Sequence, residues 1–125
     1  MTWEAWAFSA KRAWLNPFVR WTTVATALLL IVGTTFFFWR TLSRPRQNGS
    51  VILHYNVYLG IDEIGAWPWA FLLPGVWLAA TALDLAFAYG SYRADPHLAV
   101  SLVASAALLA IPWAVALYYL SVVNV

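Results

Sequence analysis

The side chains best suited to chemistry lie in one short run between two apolar stretches of the chain. His54, Asp62 and Glu63 supply an imidazole and two carboxylates, which together could bind a divalent metal ion. The eight-residue separation and the adjacent acids match no specific ligand spacing, however. A hydrogen bond from His54 or Asn56 to the loop backbone is favoured instead. We therefore predict no metal and no other cofactor.

A second ionisable side chain, Asp84, stands alone inside a long apolar run. It precedes Gly90 by six residues, which is about 9 Å along a helix. In a bilayer an ionised carboxylate is costly, by roughly 2.5 to 3.5 kcal/mol at the centre. Arg20 and Arg93 are predicted to lie at a similar level, so the sequence predicts an ion pair of Asp84 with one of them. The alternative is a proton or ion relay site.

The composition indicates that lipid is the solvent for most of the chain. Of 125 residues, 63% are hydrophobic and only 10% are charged, and the mean hydropathy is +0.71. Soluble domains carry roughly 25% charged residues, and a small globule needs a large polar surface. A disordered chain is ruled out, and a water-soluble globule is strongly disfavoured. The cations are scattered between apolar runs, so no nucleic-acid partner is predicted.

The apolar runs predict an all-α membrane protein with a single domain, residues 1–125. About 20 apolar residues cross a hydrocarbon core of roughly 30 Å, and three spans are predicted: 17–40, 66–89 and 96–122. Asn16-Pro17 and Asp95-Pro96 each place a capping side chain before a proline, which favours a helix start. The short link at 90–95 predicts an antiparallel pair of helices. Pro74-Gly75 predicts a kink in the second span.

Residues 2–15 are predicted to form an amphipathic helix. Trp3, Trp6, Ala10 and Trp14 fall on one face, while Lys11 and Arg12 point away from it. Such a helix either lies in the headgroup plane with its tryptophans buried, which we favour, or packs against the spans. An anionic cytoplasmic leaflet attracts a basic helix, so the sequence predicts a cell-membrane protein with the N-terminus in the cytoplasm and the C-terminus outside.

The outer loop, predicted at 41–65, begins with a polar linker and ends in an alternating pattern. His54, Asn56 and Tyr58 share one face of this pattern, opposite a set of apolar residues, which predicts a short extended segment. Gly60 and Gly65 are predicted to bound an acidic corner at Asp62-Glu63. Because a lone strand must satisfy its backbone groups, it forms a hairpin, lies across the helix ends or adds to a partner's sheet.

The segment from Leu53 to Gly65, with its His-Tyr-Asn, Gly-Ile-Asp and Ile-Gly elements, resembles the first loop of a group of small bacterial multi-pass membrane proteins without an assigned activity. More distantly it is similar to toxin-immunity-type membrane proteins, which carry His-x-Asn-x-x-Gly-x-x-Asp after their first span. His54 and Asn56 match that spacing, Gly60 and Asp62 match it loosely, and Leu53 stands where the family has proline. The resemblance implies an outward-facing loop and a membrane location, and no activity.

These observations predict a small integral membrane protein that is not an enzyme. The chain has no cysteine, no phosphate-binding glycine loop and no dinucleotide fingerprint. The loop is predicted either to cap the bundle or to bind a partner, through five residues: His54, Asn56, Tyr58, Asp62 and Glu63. The alternative is an accessory subunit of a membrane transport or electron-transfer complex that uses Asp84 as a relay. Besides the lipid bilayer, the predicted partners are a second copy or a larger membrane complex.

Overall fold

The structure, a computed structural model, describes residues 2–42, 50–56, 60–66 and 71–123, with residues 50–56 and 60–66 described by their backbone. The elements follow in the order α1 (Trp3–Leu15), α2 (Pro17–Leu42), β1 (Ser50–Asn56), β2 (Gly60–Ala66), α3 (Leu72–Ser91) and α4 (Pro96–Val123). Three helical segments are long and apolar enough to cross a membrane: Pro17–Arg40, Leu72–Ser91 and Pro96–Val122. The predicted helical membrane class is confirmed.

The starts of α2 and α4 are fixed by the side chains that the sequence indicated. The Oδ1 atom of Asn16 accepts hydrogen bonds from the backbone N–H groups of Phe18 at 3.0 Å and Val19 at 3.4 Å. Asp95 Oδ1 accepts from the N–H of Leu98 at 3.0 Å. Each cap satisfies donors that a first helical turn leaves without an intrahelical acceptor. Both predicted starts are confirmed.

The second span starts later than predicted. Helix α3 begins at Leu72, whereas residue 66, the predicted start, is the last residue of β2. Pro74 therefore lies in the first turn of α3 instead of inside the helix. A proline there removes no intrahelical hydrogen bond, because first-turn N–H groups have no partner within the helix. Pro74 therefore marks the start of the helix, and it gives no reason for the predicted kink within the second span.

The three spans enclose a narrow core and expose most of their apolar side chains. Helix α4 packs between α2 and α3, and its buried face is made largely of small residues, among them Ala99, Ala106 and Ala110. In the most apolar 18-residue stretch of each span, only 11% to 22% of the residues are buried. Phe87 and Leu108 are 70% and 68% exposed. Helices that are apolar on their outer faces as well are compatible with lipid as the surrounding medium.

The loop between α2 and α3 contains an antiparallel hairpin of β1 and β2. The predicted extended segment is confirmed by its backbone. Strand β1 begins at Ser50, three residues before Leu53, where the alternating pattern starts. The predicted acidic corner is wrong: Asp62 and Glu63 lie within β2, because residues 60–66 form a second strand. Strand β1 also lies beside α4.

Helix α1 packs against α3 and the start of α2. Its contact face carries Ser9 and Ala13, which are 1% and 0% exposed. Trp3 and Trp14 remain 76% and 43% exposed. Trp6 of the predicted tryptophan face also contacts α3, where its Nε1 donates to the Ala86 carbonyl at 3.0 Å. The burial of Trp3 and Trp14 among headgroups stays a prediction.

Candidate functional site

Four of the five predicted partner-binding residues lie on β1 and β2, at the end of the bundle opposite α1. The register makes His54 of β1 and Glu63 of β2 direct partners, and it pairs Asn56 with Gly60. The register is irregular on both sides of His54. Tyr58 lies outside the described residues. The fold thus brings His54 and Glu63, nine positions apart in sequence, to facing positions of two strands.

Within the described residues, the sheet has a helix beside β1 and no third strand. It joins the end of α2 to the start of α3, and β1 lies beside α4. The sheet has two strands in the order β1-β2 within the described residues, so each strand has an outer edge without a neighbouring strand. Such edges carry backbone N–H and C=O groups available for pairing with another chain.

Asp84 lies on the side of α3 that faces α4. Its Oδ2 atom is 3.3 Å from the hydroxyl oxygen of Ser105, which donates to it. The same hydroxyl is also 2.8 Å from the carbonyl oxygen of Leu102. A serine hydroxyl has one hydrogen, so it serves these two acceptors one at a time. Asp84 therefore shares its donor with the α4 backbone.

The predicted ion pair of Asp84 with Arg20 or Arg93 is not formed in the part of the chain that the structure describes. The guanidinium carbon of Arg20 lies 5.3 Å from the ring centroid of Trp21, and the Nε of Arg20 is buried without a hydrogen-bond partner. The guanidinium of Arg93 lies over Phe8 of α1. The prediction considered only the height of each residue along the spans. The Asp84 side chain points toward α4 and not toward either arginine.

A polar network at the α1 end of the bundle went unnoticed in the sequence. The buried hydroxyl of Ser9 donates to the carbonyl of Tyr89 at 2.8 Å and accepts from the backbone N–H of Arg93 at 3.1 Å. The side-chain amide of Asn16 donates to the Tyr92 hydroxyl at 3.0 Å. This network fixes α1 to the end of α3. The one available signal was a serine among large apolar residues on α1.

No protein-family model, no curated protein and no solved structure matches this chain.

Proposed function

We propose that this multi-pass membrane protein has no catalytic activity and that its hairpin, residues 50–66, caps the outer end of the bundle and binds a partner protein. The observation that supports this function is the position of the two-stranded sheet, which lies beside α4 and has open edges. The loop faces outward in this proposal, with the N-terminus in the cytoplasm and the C-terminus outside.

Support from α4 explains how so small a sheet can persist. An isolated two-stranded hairpin is marginally stable in water. Contact with α4 gives β1 a fixed base, and in this proposal the hairpin in turn covers the ends of the spans. Capping and recognition are thus compatible, because the sheet edges stay available.

The edges of the sheet offer a specific mode of recognition. An extended segment of a partner can pair with an edge strand through main-chain hydrogen bonds, while side chains provide specificity. The facing pair His54 and Glu63, with Asn56 at the end of β1 and Asp62 on β2, would supply polar contacts. Tyr58, between the strands, completes the proposed set.

The test is affinity purification from crosslinked membranes with identification of the bound proteins. We expect the double variant His54→Ala, Asn56→Ala to lose a partner that the parent chain retains. The matched control is Arg44→Ala, Gln47→Ala in the polar linker before β1, which should retain it. If the hairpin variant keeps every partner at parental levels, partner binding by these residues is refuted.

The capping role is tested on a separate variant by thermal unfolding in detergent. Capping predicts a lower midpoint for chains in which β1 is broken, as in Ile52→Pro, because proline removes a ladder hydrogen bond. An unchanged midpoint for this variant would refute the cap.

The second candidate function is an accessory subunit of a membrane transport or electron-transfer complex in which Asp84 relays protons. One observation favours it: the Ser105 hydroxyl lies within reach of both Asp84 and the Leu102 carbonyl. An ionised Asp84 would accept the hydroxyl hydrogen. A protonated Asp84 would instead donate to the hydroxyl oxygen, which would donate to Leu102. The hydrogen bonds between Asp84 and Ser105 can therefore form in both protonation states of Asp84, and rotation of the Ser105 hydroxyl converts one arrangement into the other.

The relay is tested by measuring proton movement in vesicles that contain the purified complex. We expect Asp84→Asn to accumulate normally and to abolish proton movement, because its amide can donate to Ser105 but cannot lose a proton. Ser105→Ala keeps the carboxyl group and should slow the movement without abolishing it. Parental proton movement in Asp84→Asn would overturn the relay.

A further inference from the structure

Two arginines from different elements lie over one aromatic ring at the α1 end of the bundle. The guanidinium carbons of Arg12 and Arg93 are 5.5 Å and 5.1 Å from the ring centroid of Phe8. Arg12 lies one turn after Phe8 on α1, and Arg93 lies in the link between α3 and α4. Together with Tyr92 and Pro96, these three residues line a cleft of about 310 Å³, which we call the arginine cleft.

The positions of the two arginines are set by the docking of α1. The backbone N–H of Arg93 donates to the buried hydroxyl of Ser9, one residue after Phe8. Cation–π contact with the shared ring further orients both guanidinium groups. Two positive charges are thus held near each other by the fold, an arrangement that an anion between them would stabilise.

The described residues provide no carboxylate for either guanidinium group. The two acids on the neighbouring segments are Glu4 on α1 and Asp95 before α4, and neither forms an ion pair with Arg12 or Arg93. Asp95 instead accepts the hydrogen bond that caps α4. The forked donors of the two guanidinium groups are therefore available to an external anion, and phosphate oxygens match their geometry.

A third donor is available at the same cleft. The Tyr92 hydroxyl accepts a hydrogen bond from the side-chain amide of Asn16, which leaves its own hydrogen for another acceptor. A tyrosine hydroxyl can accept and donate at the same time. Both charged and neutral donors thus surround the cleft.

The location of the cleft identifies the source of the anion. It lies where α3 ends at Ser91 and α4 begins at Pro96, which is the boundary between the spans and water. Trp3, Phe8 and Trp14 on the neighbouring helix are 76%, 46% and 43% exposed. Exposed aromatic rings at the end of a span are typical of the headgroup level of a bilayer. The phosphates of membrane lipids lie at this level.

We propose that the arginine cleft binds the phosphate group of an anionic phospholipid, with Arg12 and Arg93 as the charged donors and Tyr92 as the neutral donor. A headgroup without its own cation is preferred, because a choline group would place a positive charge beside two guanidinium groups. The bound lipid would hold α1 against the link between α3 and α4. This site is independent of the hairpin and of Asp84.

The test is native mass spectrometry of the full chain released from detergent with defined lipids. We expect the parent chain to retain phosphatidylglycerol over phosphatidylcholine. Arg12→Gln and Arg93→Gln should each weaken this retention about fivefold, the effect of roughly one charge near an anionic surface. Both variants keep the backbone hydrogen bond between Arg93 and Ser9. The matched control is Lys11→Gln. Lys11 is an exposed cation next to Arg12 in sequence, but unlike Arg12 it does not line the cleft.

Three results would overturn the proposal. An equal loss in Lys11→Gln and Arg12→Gln would show diffuse attraction of α1 to negative charge. Equal retention of phosphatidylcholine by the parent chain would exclude selection for an anionic headgroup. Displacement of phosphatidylglycerol by millimolar inorganic phosphate would show a site for free phosphate instead of lipid.

Discussion

At the residue scale, Gly33 of α2 lies close to the Trp77 side chain of α3. A Cβ atom at Gly33 would lie 3.3 Å from Cζ3 of the Trp77 indole. Trp77 is 1% exposed and stacks on Trp113 with a centroid distance of 6.2 Å and an interplanar angle of 4°. The indole is therefore buried against a second ring, which limits how far it can move away from α2. Glycine at position 33 allows α2 to approach this buried pair, as small residues do between helices in lipid.

We expect Gly33→Val to lower the free energy of unfolding in detergent by about 1–3 kcal/mol, the usual cost of overpacking a core. The matched control is Gly75→Val on α3, since a Cβ there meets no atom within 4 Å. That variant should change stability by no more than about 0.5 kcal/mol. Denaturant titration followed by tryptophan fluorescence measures both. Equal losses in the two variants would show that the Trp77 contact is not responsible.

At the element scale, α1 is held to the bundle by hydrogen bonds in addition to apolar contact. Ser9→Ala would leave the Tyr89 carbonyl and the Arg93 N–H without their partner. We expect a loss of about 1–3 kcal/mol, the cost of buried unsatisfied groups, and faster hydrogen exchange in α1. The control is Ser101→Ala, because the exposed Ser101 hydroxyl donates within its own helix to His97. Unchanged exchange in Ser9→Ala would refute this role of the serine.

The elements that the sequence predicted correctly are those with local signals. Asn16 and Asp95 cap their helices through atoms two or three residues away, so the sequence contains the whole interaction. The second span was misplaced because the uncharged stretch already begins at Ile64, inside β2, and because Pro74 is compatible with either a kink or a first turn. The facing pair His54 and Glu63 depends on a register that alternation alone does not set.

The contact of Asp84 with Ser105 shows that the height of a residue along a span does not by itself identify its partner. Rise per residue placed Arg20 and Arg93 near Asp84, but helical rotation and the packing order decide which side chains meet. Helix α4 packs against both α2 and α3, and it supplied Ser105 instead. The arginine cleft was missed for the same reason, because Arg12 and Arg93 meet only after α1 docks.

At the scale of the whole molecule, the two ends of the bundle differ in chemistry. One end holds α1, its polar network and the arginine cleft, and the other holds the hairpin. The three helices between them are long and apolar enough to cross a membrane, and three crossings would put the two ends on its opposite sides. The proposed roles depend on this separation, because a headgroup site and a partner-binding loop would act in different compartments.

The separation can be measured directly because the chain contains no cysteine. We expect Lys11→Cys on α1 and Ala94→Cys in the link after α3 to react with a membrane-impermeant maleimide only when the cytoplasmic side is exposed. Gln47→Cys in the loop before β1 should react from outside in intact cells. Labelling of all three positions from one side would refute three crossings. The reverse pattern, with Gln47→Cys protected in intact cells, would keep the first two crossings and invert the proposed orientation. It would place the arginine cleft at the outer leaflet and remove the hairpin from contact with outside partners.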